Sequence, residues 1–158
     1  MKKALILMTL FILLAAVGCN VPSKKVSVHF YKDGNLSSVN RLIPTLEDPL
    51  MIAITELMKG PNPTEQMEGY TTGIPAGTQA RRIEREGNVA ILELNSKLAT
   101  LRGGTPEAEG VLAQIVYTAT SVRGIKYVLL KLQGADHFEL GRSGYIVDHP
   151  LERRDIKR

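Results

Sequence analysis

The chain has 158 residues, 20 basic against 16 acidic side chains, three histidines, one cysteine and no tryptophan. A single cysteine excludes an internal disulfide, so stability must come from burying a largely aliphatic core. The pI is about 9.3, but the basic residues are scattered among acidic ones without a helix-turn-helix or RNA-binding signature, which disfavours nucleic acid as a partner.

Met1-Lys2-Lys3, the apolar run from Ala4 to Val17, and Gly18-Cys19 follow the charged, hydrophobic, small-residue order of a secretory signal. The run is shorter than the roughly 20 residues that a membrane-spanning helix needs. Ala16-Val17-Gly18-Cys19 resembles the bacterial lipobox, with Ala16 where leucine is commonest. Residues 1–18 are therefore expected to be a lipoprotein signal peptide, Cys19 the lipidation site, and residues 19–25 a tether. This order places the protein outside the cell, lipid-anchored on the outer face of the cytoplasmic membrane. Removing residues 1–18 leaves 140, a usual size for one domain, with 18 basic and 16 acidic side chains once Lys2 and Lys3 are gone.

Val26-Ser27-Val28-His29-Phe30-Tyr31 alternates, which predicts a strand that buries Val26, Val28 and Phe30, turns His29 and Tyr31 outward, and ends at Asp33-Gly34-Asn35. Arg41-Leu42-Ile43-Pro44 suggests a second, short extended piece. Asp48 is a good N-cap with Pro49 behind it, and Leu50, Met51, Ile54, Leu57 and Met58 recur on one face before Gly60-Pro61, predicting a first helix. The segment from Pro61 to Gly73 has turn composition throughout. Gln79–Glu86 and Val89–Leu94 read as the arms of a hairpin around Gly87-Asn88. Its first arm carries Arg81, Arg82, Glu84, Arg85 and Glu86, the charge expected of a protected edge strand.

A longer helix is predicted from Thr105, read as its N-cap, with Val111, Leu112, Ile115, Val116, Ala119 and Val122 at helical spacing and Gly124 beyond its end. Lys126–Leu132 then alternates with Val128, Leu130 and Leu132 on one face, giving a strand. Residues 136–147 suggest one more short hairpin, and Ile156–Arg158 a frayed end.

These elements predict an α+β two-layer sandwich with two helices on one face of a mixed or antiparallel sheet, in βαββαβ order, as in ferredoxin-like or ring-building-motif-like folds. The three histidines lack the spacing of a metal-ligand pair, and no phosphate loop, dinucleotide fingerprint or acid pair is present, so no catalytic residue, cofactor or metal is assigned.

Glu47-Asp48-Pro49-Leu50 through Lys59-Gly60-Pro61, Gly73-Ile74-Pro75-Ala76-Gly77-Thr78, Ala113-Gln114-Ile115-Val116-Tyr117-Thr118 and Pro150-Leu151 appear in the order found in the GerMN domain, and residues 26–155 resemble one such domain. That family is associated with sporulation and spore germination in exported lipoproteins of Gram-positive bacteria. The resemblance implies a non-catalytic, envelope-anchored binding or assembly module whose partner is an envelope protein or a second copy. The alternatives are a cell-wall lipoprotein recognising peptidoglycan or peptide and, further off, an envelope hydrolase.

One feature of the long helix bears on the partner. From Gly110 to Val122 it has no charged residue, and Gln114, Tyr117, Thr118 and Ser121 form an uncharged polar stripe beside the apolar face. Either this stripe docks a partner, as the depletion of charge at contact surfaces suggests, or the C-terminal segment from Phe138 to Ile156 folds back and covers it.

Overall fold

A computed structural model describes residues 22–142 and 144–156. The expected signal segment, Cys19 and the first part of the tether lie outside the described residues.

The chain enters through a long antiparallel hairpin, β1 (Ser23–Lys32) and β2 (Asn35–Pro44), paired at every position. Asp33 and Gly34 both take positive φ, 51° and 75°, as the tight two-residue turn between right-twisted strands requires. Strand β2 is thus much longer than the expected piece at Arg41–Pro44. Its alternation is hidden because inward positions 37 and 41 are a serine and an arginine, so only Val39 and Ile43 show the apolar rhythm.

Helix α1 (Pro49–Lys59) starts as its sequence dictates, with the Asp48 carboxylate accepting from the Leu50 amide at 2.8 Å. Its buried face holds Leu50, Ala53, Ile54 and Leu57, together with Ile52 and Glu56; Met51, expected on that face, is 40 % exposed. A short helix α2 (Pro63–Met67) occupies the expected loop, closed by a reciprocal capping box between Asn62 and Glu65. Strand β3 (Tyr70–Thr71) then pairs with Tyr31 and Lys32 at the end of β1, completing a sheet ordered β2-β1-β3.

The second sheet is ordered β4-β5-β6, from β4 (Ala80–Glu86), β5 (Val89–Leu94) and β6 (Tyr127–Leu132). The charged strand β4 lies at its edge, paired antiparallel with β5, as its composition demands. Strands β5 and β6 run parallel, with α3 (Thr105–Ala119) as the crossover between them. The cap of α3 is Gly104 rather than Thr105. The helix ends well before Gly124, because the Thr120 and Ser121 hydroxyls donate to the Val116 and Tyr117 carbonyls at 2.7 Å and satisfy the last turn locally. A small hairpin, β7 (Phe138–Glu139) and β8 (Ile146–Val147), follows. Ile156, expected at a frayed end, is only 4 % exposed.

This is the expected α+β class, helices packed on mixed and antiparallel sheets. The ferredoxin-like pairing is absent, since β1 does not enter the β4-β5-β6 sheet. Helix α1 packs on β1, β4 and α3, while α3 packs on β1 and β6, so the two helices bridge the sheets. One cluster of buried side chains runs through both, including Val28, Phe30, Ile54, Leu92, Ile115, Val128 and Leu130.

Candidate functional site: a cleft between the first hairpin and helix α3

Two polar constellations interrupt the aliphatic core. The first is structural. Arg41 points inward from β2 and donates Nη1 to the Glu56 carboxylate at 2.9 Å and to the Glu56 carbonyl at 3.1 Å. Its Nε donates to Glu65 at 2.9 Å, and its Nη2 to the Gly60 carbonyl at 2.9 Å and to the second Glu65 oxygen. The three side chains are about nine-tenths buried, so this triad joins β2 to α1 and α2 through hydrogen bonds that water barely screens. Burial works against the charge on Glu65, yet the bonds from Arg41 and from the Asn62 amide hold its carboxyl below the usual range. The sequence signals for it were the arginine at an inward strand position and the Asn-Pro-Thr-Glu capping pattern.

The second constellation lines a cleft of about 670 Å³ between the distal half of the β1–β2 hairpin, one face of α3 from Pro106 to Tyr117 and the C-terminal turn at Arg153–Asp155. His29 and Tyr31 face it from β1, Glu109 and Tyr117 from α3, and Arg153 from the C-terminal turn. Both β1 side chains project away from the core strand face, as the alternation anticipated. The His29 ring lies 5.8 Å from the Tyr117 ring, tilted by 58°, and its Nδ1 is buried without a hydrogen-bond partner among the described residues. Burial, aided by the charge of Arg153, lowers the His29 pKa to about 4, so the imidazole is neutral at pH 7. Arg153 stacks its guanidinium 4.7 Å from the Tyr117 ring centre. It also donates to the Thr120 hydroxyl at 2.7 Å, the Ser121 hydroxyl at 3.2 Å and the Tyr117 carbonyl at 3.4 Å, placing a cation at the negative end of α3.

The uncharged stripe of α3 divides here. Gln114 is fully buried and accepts from the Thr72 hydroxyl at 2.8 Å, which locks the loop after β3 to the helix. Thr118 is fully buried and its Oγ1 accepts the His29 amide at 2.9 Å, covering the part of the β1 edge that the short β3 does not reach. Tyr117, 7 % exposed, lies under Arg153, and Ser121 is exposed. Three of its four residues are thus packed within the molecule, Tyr117 beneath the returning C-terminal segment, and Ser121 is left at the surface. What remains accessible near it is the cleft mouth, where Arg153 and the β1 side chains had carried no sequence signal tying them to α3.

Among the described residues no group of three or more His, Cys, Asp or Glu side chains could hold a metal ion, and no helix there is long and apolar enough to cross a membrane.

No curated protein matches the sequence. The solved structure of the tandem GerMN domains of the sporulation protein GerM from Bacillus subtilis is similar over 88 % of this chain, with a TM-score of 0.66 and 22 % identity. The chain spans 49 % of that tandem structure, one domain's worth. The first GerMN domain of the same protein matches 84 % of this chain and is itself covered over 99 %, with a TM-score of 0.67 and 17 % identity. A Clostridium perfringens protein designated a candidate lipoprotein matches 86 % of this chain and is covered over 91 %, with a TM-score of 0.61 and 18 % identity. The fold is therefore that of a GerMN domain. The Germane family model, described as sporulation and spore germination, matches residues 27–137, most of the sequence, and the chain belongs to that family.

Proposed function

We propose that this protein is a non-catalytic binding or assembly module of sporulation or spore germination. It is held at the outer face of the cytoplasmic membrane by lipid on Cys19, and it docks an envelope protein or a second copy of itself at the mouth of the cleft beside α3. The observation that carries the docking site is the presence at the cleft mouth of the half-buried Tyr31 and the exposed Arg153, which the buried Tyr117 ring supports from below, because tyrosine and arginine are the residues that most often anchor protein contacts. Gln114 and Thr118 support this face from beneath by fixing α3 to the β3 loop and to β1. Among the described residues no carboxylate is hydrogen-bonded to the buried Nδ1 of His29, which favours recognition over hydrolysis.

The test is Tyr31→Arg or Arg153→Glu in the full chain, in a sporulating host. Loss of sporulation or germination by a variant that remains folded and membrane-bound supports the reading, and full activity of both variants rejects the cleft as the docking site. The size of the cleft favours one second reading, a cell-wall peptide or glycan as occupant. Sedimentation of the protein with purified sacculi distinguishes the two.

A further inference from the structure

The end of the molecule at which the described chain begins carries two leucines that folding leaves in solvent. Leu42 is 70 % and Leu46 79 % exposed, and both lie beside the first described residues of the chain. Leu42 stands opposite Lys25 in the β1–β2 ladder and Pro44 opposite Ser23, while the Thr45 amide donates to the Pro22 carbonyl at 3.0 Å. The outward face of β2 carries Leu36, which borders the cleft and packs partly on the core, then the polar Ser38 and Asn40, and turns apolar again at the exposed Leu42. Packing gives no reason for that change, because the partly buried positions along this half of β2 are 39, 41 and 43. The loop bearing Leu46 is also held in place: the Lys24 ammonium donates to the Leu46 carbonyl at 3.3 Å and to the Glu47 carbonyl.

We infer that this end of the domain, Leu42 and Leu46 with Lys24 and Lys25 at its rim, rests in the headgroup layer of the bilayer to which Cys19 is attached. The inference rests on the lipid reading given above. Fully extended, the chain from Cys19 to Ser23 reaches at most about 14 Å, so a lipidated Cys19 keeps the start of β1 and its ladder partners close to the membrane surface. Apolar side chains lying in the interface bury themselves about 5–10 Å into it, a depth two exposed leucines can reach. The Lys25 stem can lie along apolar surface while its ammonium stays among phosphates, and Lys24 holds the Leu46 loop in place. Glu47 and Asp48 share the loop, so charge at this end is nearly balanced and the leucines set the orientation. The hairpin then stands away from the membrane, and its Asp33-Gly34 turn, with the cleft beside it, lies about 30 Å further out, where a partner can approach.

The lipidated full chain provides the test, since with Cys19 modified an introduced cysteine is the only free thiol. Leu42→Cys, Leu46→Cys and, at the far end of the hairpin, Asn35→Cys are each reconstituted on phosphatidylglycerol–phosphatidylcholine vesicles and treated with a membrane-impermeant maleimide. The expected result is that the chain floats with the vesicles, and that positions 42 and 46 label severalfold more slowly than 35. In a Cys19→Ala background free in solution, all three should label at like rates. Equal labelling on vesicles overturns the inference while leaving the anchor intact. Slow labelling of 42 and 46 without vesicles also overturns it, by showing that the chain or a second copy covers them. Protection in native membranes but not on vesicles assigns the patch to a protein partner instead. A chain that does not float removes the anchor reading and the inference with it.

Discussion

Arg41 sets the largest single-residue expectation. Replacing it by alanine leaves Glu56 and Glu65 buried without their cation, and loss of one partner from a buried ion pair costs about 3–5 kcal/mol. Urea unfolding of Arg41→Ala should show this, and Glu56→Gln with Glu65→Gln in the same chain should recover part of it; an unchanged midpoint would mean the triad contributes nothing. His29 predicts a pH dependence. Its folded pKa of about 4 lies below the ordinary 6.5, so the unfolded chain takes up a proton over that interval and the folded chain does not. Stability is therefore full above pH 6.5 and declines as the pH falls toward 4. Glu65, held low by Arg41, adds a further loss as the pH falls through its own folded value. Thermal melts of His29→Gln should lose the dependence between those two pH values and keep the acid loss below them. A slope that survives the substitution would place the titrating group elsewhere.

Within the elements, α3 is sensitive to truncation because it contacts β1, β6 and α1 at once. Ile115 and Val128 are both fully buried in one cluster, as the matching apolar faces of helix and strand predicted. Ile115→Ala should cost about 2–5 kcal/mol in chemical denaturation, and a value near zero would misplace that face. Thr118→Val keeps the shape but leaves the His29 amide without an acceptor, an expected loss of about 1–3 kcal/mol measured the same way. The small β7–β8 hairpin depends on Gly141, whose φ is +65° and where an added Cβ would stand 2.3 Å from the Leu101 carbonyl oxygen. Gly141→Ala should therefore loosen the C-terminal segment, detectable as faster amide exchange at Leu140 and Arg142, which bond to Tyr145 and Leu101.

For the whole molecule, the expected outcome of Cys19→Ala is release of the protein from the membrane fraction, because acyl chains contribute about 0.8 kcal/mol per buried CH₂. Retention of the variant with its signal removed would require another anchor. Most of the architecture was legible beforehand where local chemistry and periodicity agree: Asp48-Pro49 starting α1, Gly87-Asn88 turning β4 into β5, the charges of β4 marking an edge, and the alternation of Val128 and Leu130. Strand β2 was only partly legible, because Arg41 and Ser37 occupy its inward row and break the pattern that reveals strands. The candidate site was legible least. Gln114, Tyr117 and Thr118 were recognised as an uncharged stripe, yet their partners, Thr72, Arg153 and the His29 amide, come from segments 36 to 89 residues away in the chain. The sequence by itself determined the longer regular elements α1, β4, β5, α3 and β6 and most of their apolar faces, since helix and strand periods are local properties of the backbone. Only the tertiary structure decided that β1 stays out of the β4-β5-β6 sheet, that Gln114, Tyr117 and Thr118 are buried against other segments, and that His29 and Arg153 line one cleft. Those outcomes depend on which buried polar groups find partners over long sequence separations, and no local pattern encodes that.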